Sequence, residues 1–381
     1  MMRYTLEPLV FVGPAEGKPN EEWKLRSPKE LLDLKICDMA CGSGAFLVQA
    51  CRNMAERLME AWEQVDKLHP DAPGITPFGE VSTGSPGEML IPKDTAERMI
   101  YARRIVAQRC LYGVDKNLLA AEMAKLSLWL LTLQKDKPFT FLDHAIRSGD
   151  SLVGIASTHQ LTSFSLDGNG PDMPMFTDAI QKRLDAVRLL RRQIAELADN
   201  SAEDVERKSL MLQNADQQTQ RLAYAANFLL AACWEATSET DREERLKQAL
   251  VHVEFGFKDL PVEELAVEGK QRLQKAGCPK PFHWPLEFPE VFMQRGGFDA
   301  IVGNPLFCGL RFIEQRVGTG YGTALFSLYP SARGNVDLCA FFFLRAFNLL
   351  QATGTLGLLG PNTIAEGATA NRPAVKSSPA S

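Results

Sequence analysis

Two short segments hold residue types that can do chemistry on a nitrogen. The first is Asn304-Pro305-Leu306-Phe307, directly after the apolar run Phe298-Asp299-Ala300-Ile301-Val302-Gly303. The exocyclic amine of a nucleic-acid base is a poor nucleophile, because its lone pair is delocalised into the ring. The side-chain carbonyl of Asn304 and the backbone carbonyl of Pro305 can both accept its hydrogens and favour a pyramidal nitrogen. Proline fixes φ and brings no competing N–H. Phe307 can stack on a base that has left its helix. An in-line methyl transfer at such a corner rests on positioning and pre-aimed dipoles and needs no covalent nucleophile. Cys308 has no histidine or basic partner nearby in sequence and reads as structural. The same tetrapeptide also suits a loop that simply ends a strand.

The second segment is Asp38-Met39-Ala40-Cys41-Gly42-Ser43-Gly44, between a predicted strand and a predicted helix. Gly42 and Gly44 suit a tight turn with a ligand close to the backbone. The pattern is not Gly-x-Gly-x-x-Gly, and no Gly-Lys-Ser or Gly-Lys-Thr follows. Asp38 at its mouth would repel a phosphate but accept hydrogen bonds from a cationic amino-acid moiety, as in S-adenosylmethionine. Asp115 closes the run Leu111-Tyr112-Gly113-Val114 and can take two ribose hydroxyls; it equally suits the start of a helix. Asp150, in Gly149-Asp150-Ser151-Leu152, can accept from an adenine amine or make an ordinary turn.

The elements that must position these residues read as alternating strands and helices. Strands are expected at Leu31 to Cys37, Cys110 to Val114, Phe298 to Val302 and Gly354 to Asn362, with a weaker one at Phe139 to Leu142. Helices are expected after Gly44, at Thr95 to Arg109, after a capping Asn117, and at Val336 to Leu350. From about residue 157 to 295 the alternation stops. Helices at Thr177 to Leu197, Glu203 to Trp234 and Arg242 to Val253 suggest an inserted helical hairpin. Its run Lys182, Arg183, Arg188, Arg191 and Arg192 reads first as a solvated face, with a role against DNA or a partner lobe as the alternative.

The 381 residues, 45% of them hydrophobic and 23% charged, can bury a large core. No stretch is apolar for long enough to span a bilayer, so no membrane partner is expected. The first residues lack a signal peptide's apolar core, and the scattered cysteines and histidines form no metal pattern. A cytoplasmic protein without metal is therefore expected. The net charge of -5 is only weak evidence against a strongly basic nucleic-acid binder, because a local positive cleft can coexist with an acidic body.

Taken together, Ile36-Cys37-Asp38, Ala40-Cys41-Gly42-Ser43-Gly44-Ala45-Phe46-Leu47, Leu111 to Asn117 and Ile301 to Pro305 resemble the gamma-class N6-adenine DNA methyltransferases. The similarity is greatest to the Eco57I-type restriction-modification methylase group. It covers about residues 30 to 155 and 295 to 369. The resemblance implies an α/β fold: a Rossmann-like sheet of S-adenosylmethionine-dependent methyltransferases with a helical insertion. It implies that Asp38, Ala40, Gly42 and Gly44 line the methionine side of the cofactor, bordered by Phe46. It places Asp115 at the ribose and Asp150 near the cofactor adenine. Asn304, Pro305 and Phe307 match the catalytic Asn-Pro-Pro-aromatic motif. The expected divisions are an irregular segment 1–29, a cofactor-binding part 30–156, the insertion 157–295, a catalytic part 296–369 and a disordered tail 370–381. The implied partners are double-stranded DNA with a flipped adenine and a separate recognition or restriction subunit.

The sequence departs from the family in three ways. Leu306 stands where the second proline is usual, and no Phe-Tyr-Thr-Pro-like segment precedes the first strand. The C-terminal hairpin and target-recognition domain are also missing, so a truncated chain is expected. Two other readings stay open: methylation of another planar amide or amine, such as protein glutamine, and an impaired remnant or subunit needing a recognition partner.

Overall fold

The computed structural model describes residues 2–85, 88–134, 137–167, 174–197, 201–307, 312, 315, 320–332 and 337–361. Five strands form one sheet: β1 (Ile36–Asp38), β2 (Leu111–Asp115), β3 (Ile146–Ser148), β4 (Phe298–Gly303) and β5 (Leu350–Leu358). Their order is β3-β2-β1-β4-β5, and every neighbouring pair is parallel. A parallel sheet is covered on both faces, which explains why its strands are nearly continuous apolar runs. Alternate residues enter two different cores. Ile36, Leu111, Ala300 and Val302 face Leu47, Met54, Leu58 and Trp62. Cys37, Tyr112, Phe298 and Ile301 face Trp284, Phe288 and Phe341.

Among the described residues, and apart from the short helices Thr158–Thr162 and Trp284–Glu287, the α-helices in chain order are α1 (Met2–Val10), α2 (Pro28–Asp33), α3 (Ala45–Leu68), α4 (Thr95–Arg109), α5 (Leu118–Leu131), α6 (Pro174–Glu196), α7 (Ala202–Glu235), α8 (Glu239–Asp259), α9 (Val262–Lys275), α10 (Pro289–Arg295), α11 (Tyr321–Leu328) and α12 (Leu338–Leu349). The chain leaves β1 toward β2 on one side and later places β4 on the other. The carboxyl ends of β1 and β4 therefore flank the point where strand order reverses, the usual ligand crevice of such sheets.

Several sequence expectations need correction. The strand expected from Leu31 is shorter, because α2 runs through Asp33. Ser27 and Glu30 form a reciprocal capping box and Pro28 occupies the first turn, so this segment starts a helix. The segment 1–29 is not irregular throughout. α1 buries Leu6, Leu9 and Val10, and Thr355 of β5 donates to the carbonyl of Thr5 at 2.8 Å. Phe139 to Leu142 has no strand; the edge position goes to Ile146–Ser148. β5 begins at Leu350, where α12 ends, and Asn362 lies outside the described residues, as do Cys308 and 370–381.

Between β3 and β4 the described residues are largely helical, with α6 to α9 packed around Phe164, Leu184, Tyr224, Phe228 and Leu265. Arg147 of β3 grips Asp216 of α7 through two bonds of 2.9 and 3.2 Å. Arg191 is no solvated cation. It is 3% exposed and meets both oxygens of Glu290 at 2.9 and 3.0 Å, with further bonds to the carbonyls of His144 and Glu287. Lys182 and Arg192 do lie on the surface, in ion pairs one turn long with Asp178 and Glu196. Among the described residues no helix is long and apolar enough to cross a membrane.

Candidate active site at the carboxyl edge of the sheet

Four loops leave the carboxyl ends of four adjacent strands, and each holds residues singled out in the sequence. Asp38 ends β1. Its side chain is 1% exposed; Oδ1 accepts from the Ala40 N–H at 3.0 Å, and Oδ2 is enclosed with no partner. Burial pushes this carboxyl up to about 7, the nearby Asp115 adds to the rise, and the Ala40 N–H opposes it. A buried acceptor without a donor is rare enough to call for an explanation. An ammonium group would satisfy it.

The two glycines of this loop have different jobs. Gly42 has φ of 53°, and a Cβ added there would meet no atom within 4 Å. Its bare backbone therefore borders open space. Gly44 has φ of 82°, and a Cβ there would lie 3.0 Å from the Cα of Ala124 in α5. Gly44 thus serves the close approach of α3 to α5. Phe46, in the first turn of α3, is partly buried against the core below.

Asp115 at the end of β2 ties the loops together. One oxygen accepts from the Gly42 N–H at 2.9 Å, and the other from the Asn117 N–H at 2.8 Å. A carboxylate has about four acceptor sites, so two remain for hydroxyl donors. Asn117 caps α5 through the Leu119 N–H, as its place in the sequence suggests.

On the other flank of β1, Gly303 ends β4 with φ of 154°, and a Cβ there would come within 2.6 Å of Asp38 Oδ1. The corner that follows is therefore set directly against the glycine loop. Asn304 is exposed, Pro305 is buried, and Leu306 and Phe307 are 48% and 44% exposed. An amide and a ring thus stand at the rim, with proline anchored beneath.

Asp150, after β3, reaches the same edge with its carboxylate engaged. Tyr321 donates its hydroxyl at 2.9 Å, Lys116 approaches Oδ2 at 2.9 Å, and the Leu152 N–H donates to Oδ1. The Lys116 ammonium also lies 4.6 Å from the centre of the Tyr321 ring. Sequence reasoning missed both partners. Lys116 had a signal in its place directly after Asp115, whereas Tyr321, 171 residues from Asp150, had none. Ser151 binds the Met39 carbonyl, joining the β3 and β1 loops. Among the described residues no group of three or more His, Cys, Asp or Glu side chains could hold a metal ion.

Comparison with known proteins gives this edge its context. The family model described as Eco57I restriction-modification methylase matches residues 109–374, and that of the MmeI DNA-methyltransferase domain matches residues 16–153. The chain is 28% identical over 142 residues to the "Type II restriction enzyme and methyltransferase RM.Eco57I" of Escherichia coli, a match covering 35% of this chain and 12% of that protein. It is 23% identical over 389 residues to the "Putative type II restriction enzyme and methyltransferase RM.MjaORFECS2P" of Methanocaldococcus jannaschii, covering 91% of this chain and 28% of that relative. The matched parts are thus well under a third of each relative's length.

Proposed function

This chain belongs to the Eco57I restriction-modification methylase family, and from that premise we propose that it methylates the N6 amine of adenine in double-stranded DNA with S-adenosylmethionine as donor. When bound, the cofactor supplies an electrophilic methyl group on a sulfonium. The residues fit it. The unpartnered oxygen of Asp38 suits the amino group of the methionine moiety, the space over Gly42 suits its chain, and the spare acceptor sites of Asp115 suit ribose hydroxyls. Asp150 suits the adenine amine once its present partners yield.

Asn304 and Pro305 then accept the two hydrogens of the target amine and hold its lone pair toward the cofactor pocket, while Phe307 stacks on the flipped base. The observation that carries this reading is the contact of Gly303 with Asp38, which brings the two motif loops together at neighbouring strand ends. The test is incorporation of labelled methyl groups into adenine of duplex DNA by wild type and Asn304→Ala. Loss of incorporation with cofactor binding retained supports the proposal; equal incorporation by both proteins refutes it.

A second reading is a subunit that turns over only with a separate recognition polypeptide, within the same restriction-modification setting. Leu306 in place of a second proline favours it. Activity that appears only when such a polypeptide is added would select it over the first reading.

A further inference from the structure

α5 is apolar on two opposite sides. Its inner side buries Ala121, Ala124 and Leu128 against the core. Its outer side exposes Leu119 (68%), Met123 (49%), Leu126 (50%) and Leu130 (67%), continued by Leu133 (57%) just past the helix end. Leu189 and Leu210, exposed on other helices, stand singly, and Val251 and Phe255 on α8 form a pair one turn apart without a longer run. These five recur at steps of four, three, four and three residues. That spacing is the seam of a coiled coil, and its natural partner is another helix.

The seam also matches itself when reversed. With two copies of α5 antiparallel, Leu119 meets Leu130 of the second copy and Met123 meets Leu126 of the second copy. Four apolar layers then fall entirely within the helix. The flanks agree: Ala120 lies beside Ser127 of the second copy, two small side chains that let the backbones approach. Glu122 lies beside Trp129 of the second copy, so no like charges face each other. Glu122 is already paired with Lys125 at 2.8 Å. The exposed Phe139 borders the seam, stacked on Trp129 at 5.2 Å. At about 100 Å² for each exposed side chain, the patch offers roughly 600 Å² per copy, the lower bound for specific interfaces.

We infer that two copies of this chain associate through α5 in an antiparallel, two-fold pair. The isologous contact needs no further polypeptide. Light scattering on the full chain should give twice 42.2 kDa at about 100 µM, with dissociation in the micromolar range. Leu126→Glu with Leu130→Glu should weaken association by more than about 100-fold while far-UV circular dichroism stays unchanged. Leu210→Glu, an equal change on α7, should leave the mass alone. A mixture of Met123→Cys and Leu126→Cys proteins should cross-link under mild oxidation, and neither variant alone should do so. A wild type that stays monomeric, a dimer that survives the double substitution, or cross-linking indifferent to the pairing would each overturn the inference.

Discussion

Asp38 should make the proposed cofactor pocket sensitive to pH in a way that can be worked out in advance. Its carboxyl is held at about 7 by burial, with Asp115 adding to the rise and the Ala40 N–H opposing it. The proposed ligand group is an ammonium, so only the ionised carboxylate binds it well. Below pH 7 each unit should weaken S-adenosylmethionine binding about tenfold, so binding at pH 5 should be weaker than the plateau by roughly a hundredfold, or about 2.7 kcal/mol. Above about pH 8 the α-amino group of the ligand loses its own proton and binding should fall again. Calorimetry in two buffers of different ionisation enthalpy should show nearly one proton released on binding at pH 6.

Stability of the free protein should move in the opposite direction. A carboxyl whose folded pKa lies above its unfolded value of about 3.9 binds more protons in the native state between those values, so this group's contribution declines as pH rises from about 4 to 7, by at most about 4 kcal/mol. Asp38→Asn should remove the acid limb and the proton release together, and weaken binding at pH 8 by roughly 1.5 to 3 kcal/mol. A dissociation constant flat from pH 5 to 8, or proton uptake on binding, would refute the assignment of Asp38 to the amino group.

Other perturbations separate support from chemistry. Gly44→Ala places a Cβ 3.0 Å from Ala124 at positive φ and should lower unfolding free energy by about 2 kcal/mol or more, measured in urea. Gly42→Ala meets no neighbour and should cost the fold less while weakening cofactor binding more. Arg191→Met leaves Glu290 buried without its cation and should cost about 3 to 5 kcal/mol, partly restored by Glu290→Gln. Tyr321→Phe releases Asp150 from a hydroxyl donor and should tighten S-adenosylmethionine binding by up to about tenfold. Weaker binding by that variant would show that Tyr321 supports the site instead of occupying it.

The parts of the site legible in the sequence are those fixed by local chemistry. The glycine loop, the acid at the end of β2 and the Asn-Pro corner each follow an apolar run, and strand ends in a parallel sheet share one edge. α4 runs from Thr95 to Arg109 as its pattern implies, because Asp94 caps it and no glycine or proline interrupts it. Legibility failed where local and distant forces compete. Leu31 and Leu32 are buried apolar residues that suit a strand, yet the Ser27–Glu30 capping box commits them to a helix. α1 is short and contains Pro8, and it owes its place to burial against a strand some 350 residues away. The partners of Asp150 and of Arg191 come from elements whose proximity no periodicity encodes.

The position of β4 has a consequence for biosynthesis. It pairs with β1 in the middle of the sheet, and the Lys35 N–H reaches Asp299 across 264 residues of chain. At roughly 5 to 20 residues per second, a ribosome needs on the order of 10 to 50 s after making β1 to deliver its neighbour. During that interval β1 and β2 can pair and collect α3 to α5, but one long side of β1 stays bare. The nascent chain thus carries an open hydrogen-bonding edge throughout translation of the helical excursion. Its yield in a cell should depend on chaperones that shield such edges, and slowing translation should raise the fraction that aggregates.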